Sequence, residues 1–165
     1  MTFPAKPIMI FLALVAGFAA PASAKETYIR GMYIGRCPEP EHATFSEAWK
    51  RAETTAAAEP SAFVVVGSGP SMEPLYPSGT VLVVKHVPYA TLKSGSAVLY
   101  FNTEGKPVMH VLVAHTSDGG RVAGLNNREF DPCGVLASNF AGLVVRAIIP
   151  LGENPLARVQ RIAFR

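Results

Sequence analysis

From Ala62 onward the chain is a series of short apolar runs, rich in β-branched residues and separated by Gly, Pro, Ser and Asn. The runs are AFVVVGSG (62–69), TVLVVKHV (80–87), SAVLYF (96–101), VMHVLVAH (108–115), RVAGL (121–125) and AGLVVRAII (141–149). Six runs at this spacing predict the strands of a mainly-β domain, a sandwich or barrel. Ser94-Gly95, Glu104-Gly105 and Asp118-Gly119-Gly120 each lie between two runs, as hairpin connections do. Ahead of the strands, TFSEAWKRAETTAAAE (44–59) has a different texture. Thr44 and Glu47 have capping-box spacing, the alanines favour helix and Pro60 stops it, so one helix is expected here. The preceding stretch, with Cys37, Pro38 and Pro40, reads as a strand or extended arm.

The chain opens with Lys6, an apolar run from Ile8 to Ala20, then Pro21 and the small residues Ala22-Ser23-Ala24. A basic start, an apolar centre and small residues at a cleavage point describe a secretory signal peptide. The run is short for a bilayer, which needs about 20 apolar residues. Export with cleavage after Ala24 is the expectation, and retention as a membrane anchor is the alternative. The chain then divides into a signal peptide (1–24), an extension with a helix (25–60), a β domain (61–150) and a basic tail (151–165). The tail NPLARVQRIAFR suits a last strand, a short helix or a docking arm.

The remaining residues are enough for one domain with a real core. Formal charge is +3 for the whole chain, and the first 24 residues take one lysine and no acid with them. So weak a charge gives no reason to expect a nucleic-acid partner. Cys37 and Cys133 are the only cysteines. Outside the cytoplasm, two cysteines far apart in sequence are a disulfide candidate, the alternative being two buried thiols. No CxxC or HxxxH spacing occurs, so no metal and no cofactor is expected.

Among residues that can do chemistry, Ser71 stands in GPSMEP, between Gly69-Pro70 and Pro74. A sharp turn there projects Oγ outward and leaves backbone N–H groups free to bind an oxyanion, although on its own such a serine is more often only a turn residue. Pro70 has no N–H, so the donors are the amide of Ser71 and one from elsewhere. Ser71-Met72-x-Pro74, with Leu75-Tyr76-Pro77 and Gly79 after it, resembles the nucleophile box of the signal peptidase I family. Leu92 to Gly95 with Ala97 to Phe101, then Gly124 to Asn127, then Phe140 to Val145, resemble later boxes in the same order. The resemblance covers roughly residues 64 to 148 and implies a signal-peptidase-like β domain with Ser71 as nucleophile.

Members of that family use either a lysine or, in the endoplasmic-reticulum-like branch, a histidine as base. Here the matching position is His110, and imidazole titrates near neutrality without the desolvation a lysine base needs. Lys85, Lys93 and Lys106 do not fall at that position. His115 is an odd number of residues away, which in a regular strand puts it on the other face. A carboxylate should orient the imidazole, and Asp131 is the candidate, with Glu129 as substitute and a turn-capping role as the alternative for Asp131. The resemblance further implies an extended peptide or preprotein substrate, paired beside Val65 and Val66 and near Met72, with a small residue before the scissile bond.

Three Gly-Asp pairs of the family read Gly79-Thr80, Gly95-Ser96 and Gly124-Leu125 here, and Val111 replaces an arginine. Thr80 and Ser96 can keep a turn hydrogen bond through their hydroxyls, whereas Leu125 cannot. The expectation is an exported, periplasmic or secreted Ser-His endopeptidase, membrane-associated if its first segment is retained. An inactive peptide-binding module on the same fold is the alternative.

Overall fold

A computed structural model describes residues 27–152; the segment expected to be a signal peptide and most of the basic tail lie outside them. Two short strands, β1 (Tyr28–Ile29) and β2 (Met32–Tyr33), make a small hairpin. Strand β3 (Glu41–Thr44) leads into α1 (Phe45–Ala58). The six expected strands follow as β4 (Ala62–Val66), β5 (Val81–Lys85), β6 (Ala97–Phe101), β7 (Pro107–Thr116), β8 (Gly119–Ala123) and β9 (Phe140–Leu151). The fold is therefore mainly β with one N-terminal helix, as the pattern implied. No helix among the described residues is long and apolar enough to cross a membrane.

The strands form one sheet in the order β4-β5-β9-β6-β7-β8. Strand β9 is the spine: it runs antiparallel to β5 and β6, and its last residues pair in parallel with β3. Glu104-Gly105 and Asp118-Gly119 do turn hairpins, β6–β7 and β7–β8. Ser94-Gly95 does not, because β9 lies between β5 and β6. The chain there crosses over through a turn of 3-10 helix at Tyr89–Thr91, and the Gly95 N–H donates to Leu112 O at 2.7 Å.

Period-two alternation assigns the core. In β5 and β6, Leu82, Val84, Ala97 and Leu99 face one cluster with Met72, Tyr76, Val111 and Leu125. On the opposite face, Val81 and Val83 pack against α1, while Val98 and Tyr100 pack with Leu112, Val122 and Phe140. Helix α1 is capped by Thr44 and Glu47 in a reciprocal capping box. It meets the sheet through Ala48 and Ala52, one turn apart and fully buried, small residues that let the helix axis come close.

An ion pair ties α1, β3 and β9 together. Arg146 donates through Nε and Nη2 to both oxygens of Glu41, at 2.8 and 2.9 Å, and through Nη1 to Thr55 Oγ1 at 2.6 Å. The Arg146 hydrogen bonds hold the Glu41 carboxyl below its ordinary value of 4.5. A lowered folded-state value gives stability that is present above the unfolded value and lost as pH falls through the folded one. Because Glu41 is 42% exposed, Glu41→Gln should cost only about 0.5–1 kcal/mol at pH 7. Urea unfolding at pH 7 and again at pH 3 checks this: the difference should vanish in acid.

The two cysteines correct an expectation. No Cys37–Cys133 bridge forms; both thiols are free. Cys37 packs on the Met72–Tyr76 face, where its S–H donates to Gly95 O at 3.3 Å and burial pushes the thiol up to about 12. Cys133 lies after β8, where its S–H donates to Gly134 O at 3.4 Å, within electrostatic range of Tyr100 on the other face of the sheet.

Candidate active site

The nucleophile loop, residues 67–80, is closed at its base by Gly67 N–H to Thr80 O at 2.9 Å and Gly79 N–H to Gly67 O at 2.8 Å. Inside it, Glu73 N–H donates to Pro70 O and Tyr76 N–H to Met72 O. Thr80 Oγ–H donates to Pro77 O at 2.6 Å, so its hydroxyl does supply the turn bond expected of it. Ser96 keeps its turn through the backbone, its carbonyl accepting from Leu112 N–H at 2.9 Å. Leu125 has changed task altogether and is fully buried in the core.

Two side chains anchor the loop. Met72 and Tyr76 are each 2% exposed and plug the same cluster, and the Tyr76 phenol donates to Pro38 O at 2.6 Å. Burial pushes that phenol well above its ordinary range, so it stays a donor. With its neighbour Met72 turned inward, Ser71 is left at the surface of a cavity of about 420 Å³. The amide of Ser71 makes no hydrogen bond among the described residues and is free to serve an oxyanion.

The loop after β8 docks onto this turn. Asn126 N–H donates to Ser71 O at 2.8 Å. A Cβ on Gly124 would stand 2.8 Å from that same carbonyl oxygen and 2.9 Å from the Asn127 side chain. The glycine is required here for space rather than for backbone conformation. Gly124→Ala should cost about 1–3 kcal/mol and should lower peptide hydrolysis further than unfolding alone accounts for. Parallel urea melts and rate measurements check the difference.

His110 lies on β7 opposite Val98 and is 6% exposed. It lines the same cavity as Ser71. Its Nδ1–H donates to Asp131 Oδ2. Asp131 is itself held by its N–H to Val122 O at 3.0 Å and accepts a second hydrogen bond, from the Tyr100 hydroxyl, on the same Oδ2. Of the candidates, His110 and Asp131 are joined by a hydrogen bond, and Ser71 lines the same cavity as His110. Glu129 is exposed and is not the carboxylate at His110. No hydrogen bond joins Ser71 Oγ to His110 among the described residues; contacts of this kind commonly tighten only with substrate in place.

Val65, Val66, Met72, Leu82, Leu99 and Met109 give the cavity apolar walls, and Ser68, Ser71, His110 and Asn127 its polar points. Met72, expected to touch substrate, is chiefly an anchor. Strand β4, carrying Val65 and Val66, is the end of the sheet, with no strand on its outer edge among the described residues. The lysines are elsewhere: Lys85 Nζ donates to Glu59 at 2.6 Å, Lys106 pairs with Glu104 at 2.7 Å and Lys93 is exposed. His115 donates through Nε2 to Leu92 O at 3.0 Å. A bulge between Leu112 and Ala114 breaks the strict alternation expected of β7, yet His115 still stands outside the site. No cluster able to hold a metal occurs among the described residues.

Two contributors were missed from sequence. Tyr100 was read only as part of a box; a buried phenol needs a hydrogen-bond partner, which signals a role without naming Asp131. Gly124 gave no signal beyond its box, because the approach of Ser71 is a tertiary contact.

The mainly-β fold is that of a peptidase-like protein. A family model described as peptidase S24-like matches residues 29–141, more than half of the chain, and the chain belongs to that family. No curated protein matches it.

Proposed function

We propose that this chain is a serine endopeptidase of the signal peptidase I type, in the branch that uses histidine as base. One observation carries the reading: Ser71 and His110 open onto a single cavity, and Asp131 holds the far nitrogen of the imidazole. His110 Nε2 takes the proton of Ser71 as Oγ attacks the peptide carbonyl carbon, and the N–H of Ser71 receives the developing oxyanion. Collapse of the tetrahedral adduct breaks the C–N bond, and the same proton passes from His110 to the departing amine. Water, deprotonated by His110, then hydrolyses the ester on Ser71.

The substrate is an extended peptide or preprotein segment with a small residue before the scissile bond. The unpaired edge of β4 beside Val65 and Val66 suits its backbone, by strand addition. The chain acts outside the cytoplasm, exported by its first 24 residues or anchored by them if they are retained. A cleaved leader favours processing of one secreted or pilus-like substrate over general leader removal, since general processing takes place at the bilayer surface.

The test is hydrolysis of preprotein-like peptides by the purified chain and by Ser71→Ala. Loss of cleavage in the variant supports the reading. Equal rates overturn it, and peptide binding without cleavage by either protein would instead assign an inactive peptide-binding module. Mass measurement of the incubated chain separates cleavage of added peptide from cleavage of the chain itself.

A further inference from the structure

We propose that Tyr100 is a positioning residue of this site, fixing Asp131 and moderating its pull on His110 by sharing the carboxylate oxygen that binds the imidazole. The inference rests on the peptidase reading above and adds a fourth residue to it. Its geometric basis is that one atom, Asp131 Oδ2, accepts both from Tyr100 O–H and from His110 Nδ1–H. The two rings stand 6.5 Å apart, centroid to centroid, on neighbouring strands.

The three groups differ in how firmly the fold holds them. Asp131 sits in the irregular stretch between β8 and β9, where a carboxylate fixed only by its own backbone can rotate about its side-chain bonds. Tyr100 is on β6, whose neighbours are β7 and β9, and is 1% exposed among Val98, Leu112, Val122 and Phe140. Its ring has no room to turn away, so its hydroxyl pins Oδ2. Burial, with Asp131 next, raises the phenol well above its ordinary range, so the group remains a donor wherever the protein is folded.

A shared oxygen also has an electrostatic consequence. Each donor draws charge from the acceptor, so the Tyr100 bond weakens what Asp131 offers to a protonated His110. The titratable groups at this corner are Tyr100 from β6, His110 from β7, and Asp131 and Cys133 from the stretch after β8. Strand β8 contributes the Val122 carbonyl, and its Arg121 guanidinium lies over the Phe130 ring at 5.1 Å. Removing the phenol should therefore strengthen the hydrogen bond from His110 Nδ1–H to Asp131.

Tyr100→Phe is the test, with Tyr89→Phe as control. Tyr89 packs on the same cluster and donates to Val135 O at 2.7 Å, away from Asp131. In Tyr100→Phe, kcat should fall about tenfold. The downfield proton resonance of His110 Nδ1–H, read on folded protein and needing no activity, should move further downfield. Tyr89→Phe should shift neither.

If Tyr100→Phe folds poorly, uniform replacement of the five tyrosines by 3-fluorotyrosine gives the opposite sign. A stronger phenol donor should move the resonance upfield. An unmoved resonance with Ser71→Ala inactive overturns the role of Tyr100 alone. Undiminished hydrolysis by Ser71→Ala overturns the peptidase reading, and the resonance still decides whether Tyr100 and His110 share Asp131.

Discussion

Replacing Ser71 by alanine is expected to lower kcat/KM for peptide hydrolysis by about a thousandfold or more, because the group that forms the acyl bond is gone. His110→Ala should lose a similar amount. A serine hydroxyl is a poor nucleophile unless a base takes its proton, and the lysines that might substitute are exposed or held by Glu59 and Glu104. The decisive measurement is the double variant. If the pair acts as one unit, Ser71→Ala with His110→Ala should be hardly slower than either single change. Losses that multiply would mean that the two residues contribute independently. Circular dichroism of Ser71→Ala should match the parent, since Ser71 is only half-buried and removal of its Oγ leaves no core void.

Met72→Ala should have the largest effect on stability and should damage the site at the same time. Its side chain is 2% exposed and packs in the cluster that includes Leu99, Val111 and Leu125. Truncating such a buried methionine costs about 2–5 kcal/mol, from lost transfer energy and the cavity left behind. Met72 is also the residue that turns inward beside Ser71, so its loss frees the loop at the point where Oγ is presented. Urea unfolding measures the first effect. Hydrolysis under conditions where the variant is fully folded measures the second, and kcat should fall there as well. A variant that loses stability but keeps the parent's kcat would show that the hydrogen bonds of the loop and Tyr76 suffice to place Ser71.

Much of the fold was legible because its elements depend on local or periodic features. The six apolar runs became β4 to β9, since β-branched residues bounded by Gly, Pro and Asn favour extended chain whatever their partners. The helix began at Thr44 because its capping box is complete within four residues. Ser71, His110 and Asp131 are the residues that the family resemblance implies; His110 and Asp131 are hydrogen-bonded, and Ser71 lines the cavity that His110 lines. Sequence identified neither Tyr100 as the second donor to Asp131 nor Gly124 as the residue that lets the later loop approach Ser71.

The amino-acid sequence by itself determined which segments are strands, where the single helix starts, and which residue types can supply a nucleophile, a base and a carboxylate. Pairing, by contrast, was decided only in the tertiary structure. Placing β9 between β5 and β6 turned Ser94-Gly95 from an expected hairpin into a crossover, and the bulge after Leu112 shifted the alternation that reaches His115. It was likewise the packing of β6 against β7 that gave Asp131 its second donor. Alternation and capping are energies of neighbouring residues, readable along the chain. The disposition of strands, and the sharing of one oxygen by residues from three segments, are settled by contacts between residues distant in sequence, which no local pattern encodes.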